Sequence, residues 1–211
     1  MIIAVDGPGA AGKGTLARAL AAHFGFHFLD TGLLYRMVGL AVLMSGRDPR
    51  DTEAAIAAAN GLDPKAWRAE DLRNEKIGQA ASIVAAIPGV RTALLNLQRA
   101  FAAQEPGAVL DGRDIGTVVC PDADAKIFVT ASAEIRAQRR MRELAERDPT
   151  VHYETVLADI HERDLRDSRR SFAPLVPAAD AYVLDTTDLD IEAAVAAAVR
   201  YVENRVAKRS A

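Results

Sequence analysis

The residues best suited to chemistry stand near the start of the chain: Gly7-Pro8-Gly9-Ala10-Ala11-Gly12-Lys13-Gly14-Thr15, between a short apolar run and an amphipathic helical pattern. Glycines at these positions let bare backbone amides turn inward around a phosphate, and a helix N-terminus just beyond adds partial positive charge. Lys13 is spaced to reach β- and γ-phosphate oxygens, and the Thr15 hydroxyl to meet phosphate or Mg²⁺. The generic motif places Ser or Thr directly after the lysine, whereas Gly14 intervenes here. A glycine-rich strand-to-helix turn with an incidental lysine is the plainer alternative, and the flanking strand and helix patterns argue against it.

A second group follows the next apolar run. Asp30-Thr31-Gly32, with Tyr35 and Arg36 one turn on, occupies a neighbouring strand end. Asp30 is suited to orient Mg²⁺ or its waters and Arg36 to bind an acceptor phosphate; a simple helix N-cap is the alternative for Asp30 or Thr31. A third group is Asp111-Gly112-Arg113-Asp114-Ile115-Gly116-Thr117-Val118-Val119. Asp111, after apolar residues, reads as a Walker-B-like carboxylate. Asp114 can accept from the exocyclic amine of cytosine while Arg113 donates to N3 or O2; uracil reverses that edge, and adenine mimics it.

The stretch from Arg136 to Arg170 holds nine arginines but also eight acids, so it is not a simple basic patch. Arg139 with Glu143, Arg142 with Glu146 and Glu162 with Arg166 have ordinary i, i+4 surface spacing, and Arg142, Arg147 and Arg166 read as a solvated helix face. Arg163, Asp167 and Arg170 fall at i, i+4 and i+7, so one helix face presents two guanidinium forks with a carboxylate between them.

Five buried strands are predicted to carry these groups: Ile2 to Val5, Phe26 to Leu29, Val109 to Leu110, Ile127 to Thr130 and Tyr182 to Leu184. Helical patterns separate them, which implies right-handed crossovers and a parallel sheet in the doubly wound three-layer α/β class, with ligands at the carboxyl ends of the strands. The stretch from Arg47 to Trp67 breaks this rhythm with Asp48, Pro49, Gly61, Asp63 and Pro64 and shows no strand pattern. Helices are then expected from about Asp71 to Ala86 and from Pro88 to Gln104, and a helical hairpin from Ser132 to Arg147 and again from Tyr153. The predicted organisation is one domain over 1–211: a core of 1–46, 107–135 and 172–211, an insertion over about 47–106, and a lid hairpin over about 136–171.

At 211 residues the chain suits one core rather than two enzymatic domains. A net charge of -3 argues against broad nucleic-acid binding, which normally needs a basic surface. Only five of the 26 basic residues are lysine, and arginine is the better bidentate phosphate ligand. The one cysteine, Cys120, excludes an intrachain disulfide and fits a packing role in a reducing cytoplasm. The chain enters an apolar strand without a basic leader, and no apolar run nears the roughly 20 residues of a membrane span, so neither export nor anchoring is expected.

Gly12-Lys13-Gly14-Thr15 resembles the phosphate loop of nucleoside monophosphate kinases. Together with Asp6-Gly7-Pro8, Leu29-Asp30-Thr31-Gly32, Ala80-Ala81-Ser82, the 111–119 run and Ala173-Pro174-Leu175, it makes the chain similar over nearly its whole length to the bacterial cytidylate kinase family. The resemblance implies a P-loop kinase fold with a five-stranded parallel sheet, a helical acceptor insertion and a helical lid. It implies ATP and Mg²⁺ as phosphoryl donor and cofactor, and CMP or dCMP as acceptor. It further implies an acceptor site of Thr31, Tyr35, Arg36, Ser82, Arg91, Arg113, Asp114, Arg163, Asp167 and Arg170. Gly7 through Thr15 would bind ATP, with Thr15 and, through water, Asp30 at the metal. Arg139, Arg140 and Arg169 are candidates to join Lys13 in catalysis on closure, and spacing does not choose among them. Two features depart from the family pattern: Thr31 stands where serine is frequent, and the insertion before Ser82 is short and lacks the small antiparallel sheet many members carry.

The expected partners are small nucleotides, with no nucleic acid and no membrane, for a monomer. The competing readings are another small-acceptor kinase, of adenylate, shikimate or dephospho-coenzyme A type, and a nucleotide-dependent binding switch. Against the switch, the chain has no Asn-Lys-x-Asp guanine-reading motif.

Overall fold

The computed structural model describes residues 1–210 apart from 69, 70, 73 and 147, and the side chains of 65, 208, 209 and 210 are likewise outside the described set. Arg147, expected on a solvated helix face, therefore lies outside the described residues.

The β-branched run Ile2–Asp6 forms β1, the central strand of a five-stranded sheet. The others are β2 (His27–Asp30), β3 (Ala108–Gly112), β4 (Ala125–Thr130) and β5 (Tyr182–Asp185), in spatial order β2-β3-β1-β4-β5. All pairings are parallel; Asp6 stands opposite Gly112 on one side and Phe128 on the other. All five predicted strands are present, and helices flank the sheet.

The chain divides into two compact units, Met1–Leu29 with Ala102–Ala211, and Asp30–Phe101. In the first, α1 (Lys13–Phe24) and α8 (Ile191–Ser210) cover one face of the sheet. Leu16, Ala17 and Leu20 of α1 and Ala194, Ala198 and Val202 of α8 pack on Ile3, Val5, Val109, Ile127 and Val129. Gly25, in the left-handed conformation with its N–H on the Ala21 carbonyl, stops α1 and releases the chain into β2. The predicted hairpin is α6 (Ala133–Ala145) and α7 (Tyr153–Ser168), which meet through Ala137, Val156 and Ile160. Ser132 caps α6 on the Ile135 N–H, and Asp148 accepts from both the N–H and hydroxyl of Thr150 in the turn between them.

The second unit is helical: α2 (Thr31–Met44), α3 (Thr52–Asn60), a short 3₁₀ turn (Pro64–Ala66), α4 (Glu75–Val84) and α5 (Pro88–Ala102), whose last residue falls in the first unit. It takes in α2, whose apolar face lies on α3 and α4: Leu34, Val38 and Val42 pack with Ala55, Ala59, Ala81 and Val84. A Cβ on Gly39 would fall 2.9 Å from the Ala81 backbone nitrogen, so only glycine allows α2 and α4 to approach this closely. α4 starts four residues later than predicted, where the Asn74 side chain caps the Lys76 N–H. No strand lies within residues 47–101 among those described, as the sequence pattern implied. No single described helix is long and apolar enough to cross a membrane.

The tightest point of the fold is Gly7, where β1 ends. Its φ is +147°, and a Cβ there would fall 2.0 Å from the Val129 carbonyl oxygen of β4. Gly7→Ala is expected to destabilise the protein by about 3 kcal/mol or more, through backbone strain and displacement of β4; urea unfolding against the unsubstituted protein measures this.

Candidate functional site

The predicted phosphate loop runs from that glycine to the start of α1. Gly12 (φ +88°) occupies the N-cap of α1 and no side chain caps the helix, which leaves its first amides to the loop interior. Lys13 is buried; its ammonium donates to the Pro8 carbonyl at 2.8 Å and stands 4.0 Å from Asp111 Oδ1. A lysine folded back across its own loop holds its charge where the amides point, the arrangement that neutralises a bound polyphosphate.

Asp111, at the end of β3, occupies the position expected of a Walker-B-like carboxylate. Its Oδ2 lies 3.3 Å from where a Cβ on Gly14 would stand, next to Thr15 on the first turn of α1. Among the described residues no three His, Cys, Asp or Glu side chains gather into a metal cage. Mg²⁺ on a nucleotide asks for less, since phosphates and water fill most of its octahedron and the protein adds one or two oxygens. The Thr15 hydroxyl and an adjacent carboxylate are that kind of donor set.

Around Asp167 the structure gathers more charge than the sequence spacing foresaw. Arg113 Nε donates to Asp167 Oδ2 at 3.0 Å, Arg163 Nε lies 3.8 Å from the same oxygen, and Arg170 Nε donates to the Asp167 carbonyl at 3.2 Å. Arg163 shares a face of α7 with Asp167, as predicted, whereas α7 ends at Ser168 and Arg170 reaches the same residue from beyond the helix rather than from its face; Arg113 arrives from the loop after β3. Burial alone would raise the Asp167 pKa, but the positive charges of Arg113, Arg163 and Arg170 and the bond from Arg113 outweigh it and hold the carboxyl below its usual range. The loop beyond α7 folds back on the same residue: Leu175 N–H donates to the Asp167 carbonyl, two residues after Ala173 in a left-handed conformation (φ +52°). The cluster borders the phosphate loop, since Arg163 Nη1 and Arg113 Nη2 each lie 3.8 Å from the Cβ position of Gly9.

Asp114 is buried beside this cluster, at the start of a single π-helical turn, Ile115–Val119. The remaining predicted acceptor residues, Thr31, Tyr35, Arg36, Ser82 and Arg91, all belong to the second unit. There Arg36 donates to the carbonyls of Leu72 and Asn74, and buried Arg91 donates to the Ala85 carbonyl while its guanidinium lies 5.2 Å from the Tyr35 ring centroid. Thr31 and Ser82 are buried. Asp30 takes the N-cap position of α2, the structural alternative the sequence offered, with no side-chain capping bond.

The three lid candidates differ. Arg139 donates to both the hydroxyl and carbonyl of Thr186, at 3.0 and 2.7 Å, rather than to Glu143 as the spacing suggested. Glu143 pairs with Arg140, and Arg169 is exposed at the C-terminus of α7. The Glu162–Arg166 surface pair is present as predicted. None of the histidines enters the site: His23 pairs with Glu203, His27 bonds the Glu105 carbonyl, His152 is the uncapping N-cap of α7 and His161 is exposed.

Three residues of this neighbourhood were given no role by the sequence. Arg136 is buried, grips Asp164 with both Nη atoms and donates to the Gly9 and Ala131 carbonyls, tying the α6–α7 hairpin to the phosphate loop. Thr186 donates to the Thr130 carbonyl and seats Arg139. Asp6 accepts from the N–H groups of Ile115 and Gly116 at 2.8 and 2.7 Å. Burial pushes the Asp6 pKa up to about 7; those two bonds pull it back, and the neighbouring Asp114 and Asp111 charges push it up. The available signal was a charged residue ending a strand buried on both faces.

A sequence model of the family described as cytidylate kinase matches residues 3–204. This chain belongs to the cytidylate kinase family. Relatives named cytidylate kinase include one from Xanthobacter autotrophicus, 61% identical over 99% of this chain and 100% of its own, and one from Azorhizobium caulinodans, 60% identical over 96% and 98%. Among solved structures, an uncharacterised protein from Eubacterium ventriosum covers 96% of this chain and 98% of its own with a TM-score of 0.57 at 16% identity, a likeness of fold.

Asp167 supplies a pH test. Its lowered pKa means its contribution to stability is complete above the ordinary value of 3.8 and drains away as pH falls through the lower folded-state value. Asp167→Asn should lower unfolding free energy by about 3 kcal/mol near pH 6, because three buried or half-buried guanidinium groups lose their counter-charge. Urea titrations near pH 6 and below about pH 3 should show the gap to the unsubstituted protein shrinking at the acid end.

Proposed function

We propose that the protein transfers the γ-phosphoryl group of ATP, with Mg²⁺, to the phosphate of CMP or dCMP, yielding CDP or dCDP. The observation that carries this reading is the arginine cluster on Asp167 lying against Gly9. It provides a second anion site beside the first, as two phosphorylated ligands require.

A phosphate monoester is already an anionic nucleophile, so the transfer needs position and charge neutralisation rather than a strong general base. Gly7 through Thr15, with Lys13, would hold the donor phosphates, and Thr15, with Asp30 through water, would hold Mg²⁺, which would supply neutralisation of the phosphate charge. Arg113, Arg163 and Arg170 take the acceptor phosphate and sugar. Arg113, tied through Nε to Asp167 and turned toward Gly9, suits the phosphate better than the base; base reading then falls to Asp114, whose carboxylate accepts from the cytosine amine. Thr31, Tyr35, Arg36, Ser82 and Arg91 complete the acceptor set on the resemblance of the sequence. Arg169, Arg139 and Arg140 are the cations available to the migrating group, Arg169 being the one that stands exposed beside Arg170. The partners are these small nucleotides, and the enzyme works as a cytoplasmic monomer.

An ADP-release assay across acceptors should show CMP and dCMP consumed far faster than UMP, AMP or GMP. A preference for AMP would sink the cytosine reading, and negligible turnover with every monophosphate would favour a nucleotide switch. Lys13→Met should lower kcat about 10²-fold or more. Asp114→Ala should reduce the CMP-over-UMP ratio of kcat/KM at least about tenfold, since the site then loses the acceptor that uracil cannot satisfy; an unchanged ratio would place base selection elsewhere.

A further inference from the structure

We infer that Asp6 is a positioning residue for base selection: its carboxylate, fixed at the end of the central strand, sets the place of Asp114 and Arg113 and so the enzyme's discrimination between acceptors. The inference rests on the proposed role of that loop in reading CMP.

Both carboxylate oxygens are engaged on successive peptides, Oδ1 by the Ile115 N–H and Oδ2 by the Gly116 N–H. The first of these peptides is the one that carries the Asp114 carbonyl. From its other side that carbonyl accepts from the N–H groups of Val118 and Val119 at 2.8 and 3.1 Å. The peptide that follows Asp114 is therefore held at both its donor and its acceptor, and the adjoining Cα, from which the base-reading side chain departs, has little freedom left. Gly116 is braced as well: a Cβ there would lie 3.2 Å from Lys126 Cδ and 3.4 Å from Asp6 Oδ2. The Lys126 ammonium is itself anchored on Asp180 at 2.8 Å.

The anchor is as rigid as the fold provides. Asp6 pairs with β3 on one side and β4 on the other, and the next residue is the glycine pressed on the Val129 carbonyl. One residue thus ends the strand, opens the donor loop with its main chain and fixes the acceptor loop with its side chain. In-line transfer demands that these two loops keep one spacing. A buried carboxylate next to Asp111 and Asp114 is an expensive way to fill space, and an amide would be cheaper. Asparagine would not do the same work, because it offers one oxygen and would turn an N–H donor toward a second N–H.

The test combines steady-state kinetics of Asp6→Asn with amide exchange by NMR on the unsubstituted enzyme. The variant should raise KM for CMP about tenfold or more and lower the CMP-over-UMP ratio of kcat/KM, while KM for ATP stays within about twofold. Equal losses for ATP and CMP, or an unchanged CMP-over-UMP ratio, would overturn the inference. Asp6→Ser replaces Asp6→Asn in the same comparison if the asparagine variant does not fold. In the unsubstituted enzyme without nucleotide, the Ile115 and Gly116 amides should exchange as slowly as those of β1; exchange at the rate of exposed loop amides overturns the inference whatever the variants do. Asp114→Ala assayed alongside separates the two ideas. Loss of discrimination in that variant but not in Asp6→Asn defeats the role of Asp6 alone, whereas an unsubstituted enzyme with no preference for CMP defeats the reading of the site and this inference with it.

Discussion

At Gly7 the central strand must end, because its backbone runs so close to the Val129 carbonyl that any side chain would collide. The chain turns there with a φ of +147°, which glycine alone adopts readily, and the loop that follows takes its direction from that turn. The neighbouring consequences are short-range. Lys13 folds back onto Pro8, Gly12 starts α1 with its amides directed to the loop, and Gly9 and Ala10 come to lie under the α6–α7 hairpin, held by Arg136 and by the apolar residues around Ala137. The loop is therefore constrained at its base by the sheet, at its end by a helix and from above by the hairpin. A loop held this way keeps its backbone amides fixed, the condition that electrostatic preorganisation toward the proposed donor phosphates requires.

Two buried carboxylates near that loop show how environment sets their behaviour. Asp167 is ringed by three guanidinium groups that hold its pKa below the ordinary value in spite of burial; Asp6 has two backbone N–H groups against burial and two neighbouring acids, and its pKa rises to about 7. The first acts as a counter-ion that assembles cations. The second is a clasp whose directional bonds matter more than its charge. Burying either is unfavourable in isolation, and each is tolerated because its partners are fixed by the sheet or by α7.

What was legible in the sequence was local. The glycine-rich motif is contiguous, the five strands are dense apolar runs between helices, and Arg163 and Asp167 share a helix face by simple periodicity, although the helix ends before Arg170. What was not legible depends on tertiary pairing. Nothing at Arg136 announces Asp164, nothing at Arg139 announces Thr186 in place of the nearer Glu143, and Arg113 joins Asp167 across 54 positions. The packing of α2 was not legible for a related reason. An amphipathic helix reads the same whether it covers a sheet or another helix, and only the fit of Gly39 against Ala81 decides that α2 belongs with α4.

The scarcity of lysine gains a physical meaning in the cluster around Asp167. Arg113 and Arg170 each donate Nε to that one residue, at its carboxylate and at its carbonyl, and Arg163 stands 3.8 Å from the same carboxylate. A guanidinium that is anchored through Nε still presents its Nη edge in a fixed plane, so anchoring and recognition occur at opposite ends of one group. A lysine ammonium gathers its donors on one atom at the end of a flexible stem, and a bond to Asp167 would leave the direction of its other donors unset. Lys13 is the exception consistent with this logic. It serves as a compact point charge inside a loop whose backbone already supplies the geometry, and there a planar fork would have no room and no task.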